Sequence, residues 1–131
     1  MKTLIVEDDF LNRFIIQKML IPYGPCDIAV NGEEAVRAFE ISVSEGMPYD
    51  LICMDIMMPE MDGKTALLNI RQKEKEMQVK PSAEVKVAMI TALDAPADVV
   101  ESFYKCGCST YLVKPIERHK IKEMLKELEL L

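Results

Sequence analysis

The chain has 131 residues, 22 acidic side chains against 16 basic ones, a formal net charge of -6, and half of its residues are hydrophobic. Its length predicts one domain over residues 1–131 with no room for a second, and the apolar fraction with only five glycines excludes a disordered or collagen-like chain. The acidic balance without a dense Lys/Arg cluster argues against direct nucleic-acid binding. Apolar runs such as Thr3 to Val6 and Leu51 to Met54 fall far short of the ~20 residues of a membrane span. Met1-Lys2-Thr3 leads into acids instead of a signal-peptide core, so a cytosolic protein with reduced cysteines is expected.

Short β-branched runs alternate five times with helical patterns, which predicts a parallel sheet covered by helices on both faces. Thr3 to Val6 is the first strand; it stops at Glu7-Asp8-Asp9, after which Leu11, Phe14, Ile15 and Met19 recur at helical spacing until Pro22 and Gly24. Cys26 to Val30 reads as a second strand. Asn31-Gly32-Glu33-Glu34 opens the next helix as a capping-box variant, with Ala35, Val36, Phe39 and Val43 as its apolar stripe. Leu51 to Asp55 is a continuous apolar run of the kind expected for a strand buried on both faces. Ile56 to Gly63 is a loop, followed by a helix that buries Ala66, Leu67 and Ile70. Lys73 to Glu84, charged and interrupted by Pro81, reads as a frayed helix end plus an exposed loop. Val85 to Thr91 is the fourth strand. Pro96 suits the first position of the following helix, and Gly107 suits its C′ residue. Thr110 to Val113 is the fifth strand, and Ile116, Ile121, Met124, Leu125, Leu128 and Leu131 give the last helix its stripe.

Ligands of an open parallel sheet collect outside the carboxyl ends of the strands, and the polar residues of this chain accumulate there. Glu7 and Asp8 follow strand one, Asp55 ends strand three, Thr91 ends strand four and Lys114 follows strand five. Three carboxylates that close repel and raise one another's pKa unless a cation joins them, and an all-oxygen donor set suits Mg²⁺. With Lys114 and the Thr91 hydroxyl added, the cluster complements a phosphoryl group. Asp55, alone on a buried strand, is the carboxylate best placed as nucleophile.

These residues are identified as a resemblance to the response-regulator receiver domains of two-component signalling. It is carried by Leu4-Ile5-Val6-Glu7-Asp8-Asp9, Asn31-Gly32-Glu33-Glu34-Ala35, Met54-Asp55-Ile56-Met57-Met58-Pro59-Glu60-Met61-Asp62-Gly63, Ile90-Thr91-Ala92 and Tyr111-Leu112-Val113-Lys114-Pro115, in the family's order. The resemblance spans essentially the whole chain, leaves no region for an output domain, and implies a stand-alone response regulator with the flavodoxin-like doubly wound (βα)5 fold, strand order 2-1-3-4-5. It implies that Asp55 accepts a phosphoryl group from the phosphohistidine of a sensor kinase. Mg²⁺ would be bound by Asp8, Asp55 and the backbone carbonyl of Met57, with Glu7 acting through water. Lys114 would pair with the phosphoryl oxygen and precede a cis Pro115, and Thr91 with Tyr111 would be the switch pair that remodels the surface of helix four, strand five and helix five for a downstream protein target. Alignment on the Leu-Ile-Val run and Arg13 selects Glu7 and Asp8 as the acidic pair and leaves Asp9 on the loop or as a helix cap. The expected state is a monomer or a weak phosphorylation-dependent dimer.

The resemblance leaves open a phosphorelay carrier that passes the group to a histidine phosphotransfer domain, and a degenerate receiver that only binds partners, although no pocket residue is lost. A Mg²⁺-dependent phosphohydrolase would place an acid two residues after the nucleophile. That position is Met57, so a turnover enzyme is not expected. Met57 and Leu93 are both apolar and cannot orient a hydrolytic water, which predicts a long-lived phosphoryl group. Cys106-Gly107-Cys108 lacks the spacing of a zinc hook and reads as packing. His119 reads as solvated, which rules out a histidine-based triad. Most of the ten methionines fill the core, while Met57, Met58 and Met61 sit in the loop after Asp55. Val99, Phe103 and Tyr104 are the partner-surface candidates on helix four.

Overall fold

The computed structural model describes residues 1–56, 63–92 and 94–131. Five strands, β1 (Thr3–Val6), β2 (Cys26–Ala29), β3 (Leu51–Asp55), β4 (Lys86–Thr91) and β5 (Thr110–Val113), form one parallel sheet in the order β2-β1-β3-β4-β5. The order reverses between β1 and β3, which places the crevice for a ligand at their carboxyl ends. Five helices cover the sheet: α1 (Phe10–Leu20), α2 (Gly32–Ser44), α3 (Gly63–Glu76), α4 (Ala97–Lys105) and α5 (Arg118–Glu127). This is the expected flavodoxin-like arrangement.

The period-two alternation of strand side chains divides the core in two. Leu4, Val6, Ile52, Met54, Val87 and Met89 pack with Ala35 and Phe39 of α2, Leu67 and Ile70 of α3 and Phe103 of α4. Ile5, Leu51, Cys53, Ala88 and Ile90 face Ile16 and Leu20 of α1 and Ile121, Met124 and Leu125 of α5. Every residue of β3 is buried, as its unbroken apolar run predicts.

Local chemistry fixes the helix starts. Asp9 caps α1, accepting from the Asn12 N–H at 2.9 Å, and Asn31 caps α2, accepting from the Glu34 N–H at 2.8 Å. Glu34 completes the box by accepting from the Val30 N–H at 3.1 Å, and that bond falls just past β2, which ends at Ala29 instead of Val30. Pro96 stands at the N-cap of α4, one residue before its expected place, because its ψ of 142° is extended. Gly107 is the C′ residue, with φ +103°.

Two expectations are corrected, and one point the spacing left open is settled. In α1, a helix as expected, the buried residues are Ile16 and Leu20, while Phe10, Leu11, Phe14 and Ile15 are exposed; the helix is apolar on so many sides that spacing does not select its inner face. Leu131 is exposed, because α5 ends at Glu127 and Glu129 turns the chain with φ +60°. The segment read as a frayed end and exposed loop is organised by a buried acid: Glu74 accepts from Arg71 Nη1 at 2.7 Å and from the Val85 N–H at 2.8 Å. Arg71 also donates from Nε to Gly107 O at 2.9 Å and from Nη1 to Val85 O at 2.8 Å. One ion pair therefore ties α3, the start of β4 and the α4–β5 turn together.

Candidate phosphoacceptor site

The carboxyl ends of β3, β4 and β5 converge on one cleft. Asp55 closes β3 opposite Ile90, and a cleft of about 420 Å³ is lined by Asp55, Thr91, Asp94, Pro96, Val99 and Lys114. The Lys114 N–H donates to Thr91 O at 2.9 Å, so the β4–β5 ladder carries its side chain to the cleft, where Lys114 Nζ lies 3.6 Å from Asp55 Oδ2. The peptide between Lys114 and Pro115 is cis. Lys120 Nζ donates to Val113 O at 3.3 Å and Pro115 O at 3.0 Å, fixing the loop that bears Lys114.

Glu7, Asp8 and Asp55 each bring a carboxylate oxygen to within 4.8 Å of the others. Glu7 and Asp55 are buried and Asp8 is exposed, so the cluster has a dry floor and a wet rim. Burial first, and the facing Asp55 carboxylate second, push the Glu7 carboxyl up to about 8; the Asp9 N–H at 3.2 Å and Lys114 act in the opposite direction. Glu7 Oε2 is buried with no hydrogen-bond donor among the described residues. Two carboxylates in contact share either a proton or a cation, and an acceptor-only oxygen aimed into an all-carboxylate cluster fits a hard divalent ion such as Mg²⁺. Asp9, the third acid of the run, is spent on the α1 cap. Met57, expected to supply a carbonyl to the ion, lies outside the described residues, as do Met58, Met61 and Leu93.

Thr91 is buried, and its hydroxyl donates to the Ala92 carbonyl at 3.5 Å. Tyr111 points outward, 41% exposed. A second cleft, about 260 Å³, lies between them. A third, about 480 Å³, runs from Lys114 and Pro115 to Ile15 and Ile16 of α1. Sequence reasoning missed the positioning role of Arg13, used only as an alignment mark. Its Nη1 donates to Glu7 O at 3.1 Å and Asp8 O at 3.4 Å, gripping the backbone of the acidic pair. A basic residue one turn into the helix after an acidic strand end was the available signal. His119 meets Glu117 at 3.3 Å on the surface, and Cys106 and Cys108 are buried free thiols, in line with their expected roles.

The family of the response regulator receiver domain matches residues 3–126. The chain belongs to the response-regulator receiver family. It is 30% identical over 126 residues to the chemotaxis protein CheY of Bacillus subtilis, covering 96% of this chain and 95% of that one. It is also 35% identical over 127 residues to hybrid signal transduction histidine kinase L of Dictyostelium discoideum, covering 96% of this chain but 7% of the kinase. The chain thus spans less than a tenth of the length of the two hybrid kinases of Dictyostelium discoideum that it matches. Among solved structures, the receiver domain of the histidine kinase CKI1 from Arabidopsis thaliana, complexed with Mg²⁺ and BeF3⁻, superposes with a TM-score of 0.82 at 25% identity, covering 98% and 89% of the two chains. The receiver of Ssk1 in co-crystal with the histidine phosphotransfer protein Ypd1 of Saccharomyces cerevisiae gives 0.79 at 27% identity, covering 96% and 86%. No helix among the described residues of this receiver is long and apolar enough to cross a membrane.

Proposed function

We propose that this receiver is a phosphorylation-controlled switch that acts through protein partners, with Asp55 as the phosphoacceptor. The observation that carries this reading is the buried Asp55 carboxylate, which shares one cleft with Lys114 and Thr91 and clusters within 4.8 Å of the Glu7 and Asp8 carboxylate oxygens. An Asp55 oxygen attacks phosphorus, the bond to the donor's imidazole nitrogen breaks with its electron pair left on that nitrogen, and the aspartyl phosphate remains. Asp8 and Asp55 would hold Mg²⁺ directly and Glu7 through water; when bound, the ion supplies positive charge to the transferring phosphoryl oxygens. Lys114 neutralises a further oxygen, and Thr91 turns its weakly held hydroxyl toward another. Tyr111 then enters the space that Thr91 has left, and a partner that prefers that form shifts the population. In this reading the chain is a substrate of phosphotransfer, since the position two residues after Asp55, where a phosphohydrolase carries its acid, is Met57.

The exposed apolar residues Phe10, Leu11, Phe14 and Ile15 of α1, of which Ile15 lines the cleft at Lys114, support docking of the phosphodonor, a sensor kinase or histidine phosphotransfer domain in the cytoplasm. The apolar residues Met57 and Leu93 support a long-lived phosphoryl group, and a half-life of seconds without a phosphatase would refute that part. A carrier role is the second reading, supported by the likeness to hybrid kinases and to the Ssk1 receiver bound to Ypd1. Incubating the ³²P-labelled receiver with a histidine phosphotransfer domain separates the two. Transfer of label to the histidine supports the carrier; retention on the receiver, after label has been accepted from a phosphohistidine, supports the terminal switch. Failure to accept label from any phosphohistidine donor counts against both.

A further inference from the structure

We infer that Tyr104 is a latch that holds Tyr111 in its outward station in the unphosphorylated receiver; the inference deepens the reading of Thr91 and Tyr111 as the switch pair and rests on it. Tyr111 alternates outward on β5 between the buried residues Thr110 and Leu112. Its ring meets the Tyr104 ring edge to face, with centroids 6.0 Å apart and planes at 83°, the arrangement that the aromatic quadrupole favours. Tyr104 stands in the last turn of α4, just before the cap at Cys106. Its hydroxyl lies near that of Thr110, which itself donates to Glu127 Oε1 of α5 at 3.3 Å. The latch therefore borders the strand that carries Tyr111.

On its other side Tyr111 has somewhere to go. The 260 Å³ cleft between Tyr111 and Thr91 is floored by Ala92, Ala95, Ala97, Val100 and Val113, whose small side chains leave it open. A cavity of about 150 Å³ already accepts a benzene ring, so a phenol fits. The cleft shares Thr91, Ala92 and Ala95 with the phosphoacceptor cleft. Tyr111 has two stations, one against Tyr104 and one beside Thr91, and the contact with Tyr104 exists only in the first. An interaction made in one of two states biases the equilibrium by its whole worth, here a factor of about two to ten for an edge-to-face pair. Tyr104 thus opposes spontaneous switching, and phosphorylation works against it.

The test is ¹⁹F NMR of the full chain labelled with 3-fluorotyrosine, the Tyr111 signal assigned by Tyr111→Phe. Without a phosphoryl mimic, Tyr104→Ala is expected to move the Tyr111 signal toward its inward position, raising the inward-to-outward ratio about two- to tenfold. Tyr104→Leu, which keeps bulk and helix propensity without the aromatic edge, moves it in the same direction, and Tyr104→Phe, which keeps the ring, stays within about twofold of wild type. A Tyr111 signal unchanged in both Tyr104→Ala and Tyr104→Leu overturns the latch, as does a Tyr104→Phe shift equal to that of Tyr104→Ala. Wild type with Mg²⁺ and beryllium fluoride is the separate arm. If it leaves Tyr111 outward while Tyr104→Ala moves it, the latch is supported and the switch-pair reading fails.

Discussion

Replacing Glu7 by Gln keeps the side-chain shape and removes one ionisable proton, so the charge buried in the site becomes readable as a pH dependence of stability. Glu7 is fully buried, and its carboxyl is lifted from 4.5 to about 8, chiefly by burial and then by Asp55. A carboxyl raised in the folded state contributes stability that is fully present below its unfolded value and is lost as pH rises through its folded value. Between pH 5 and 8 the metal-free wild type therefore weakens relative to Glu7→Gln by up to ~1.4 kcal/mol per pH unit. From pH 5 to 7 that amounts to a ceiling of about 3 kcal/mol. With an unfolding entropy of about 2.1 cal/mol/K per residue, a chain of 131 residues converts this to a Tm difference of roughly 10 °C. Urea and thermal denaturation in EDTA at pH 5, 6 and 7 measure it. Adding Mg²⁺ should offset the loss in the wild type, more strongly at pH 7 than at pH 5 because protons and metal compete for the same carboxylates. Wild type and Glu7→Gln losing stability in parallel from pH 5 to 7 without metal would refute the assignment of a raised carboxyl to Glu7.

Three further perturbations follow from the geometry. Glu74→Ala takes the nearest acid from a largely buried Arg71, leaving it Glu84 at 3.8 Å, and strands the Val85 N–H; it is expected to cost about 3 kcal/mol in equilibrium unfolding, and a loss under about 1 kcal/mol contradicts the buried network. Gly63→Ala would place a Cβ 2.7 Å from the Asp55 backbone oxygen and 2.9 Å from Met89 Cε. We expect it to destabilise by about 1–3 kcal/mol and to slow adduct formation from acetyl phosphate, and an unchanged rate speaks against so close an approach. Lys114→Ala removes the cation 3.6 Å from Asp55 but none of the three clustered carboxylates, so the phosphorylation rate is expected to fall by about tenfold or more while Mg²⁺ affinity, read by calorimetry, is retained. A loss of Mg²⁺ binding with an unchanged rate reverses the roles assigned to these groups.

Much of the fold was legible because the strands of a doubly covered parallel sheet are short unbroken apolar runs, and Leu51 to Asp55 shows the pattern plainly. The site was legible for a related reason: a charge at the end of such a run has one place to be, and Glu7, Asp55, Thr91 and Lys114 all reach it. The rest depended on contacts far apart in sequence. Glu74 looks like one more charge on a solvated helix, and only its meeting with Val85, 11 residues on, makes it a buried acid. The face of α1 was not legible because Phe10, Leu11, Phe14 and Ile15 offer a stripe as apolar as the one that packs. Asp9 and Asp8 are chemically alike in the sequence, and the Asn12 N–H is what assigns Asp9 to the cap.

Intact mass after incubation with Mg²⁺ and acetyl phosphate, wild type beside Asp55→Asn, tests the central claim most directly. The account predicts one added phosphoryl group that requires Mg²⁺ and is absent from Asp55→Asn. An adduct that persists in Asp55→Asn, or that forms as readily in EDTA, contradicts it.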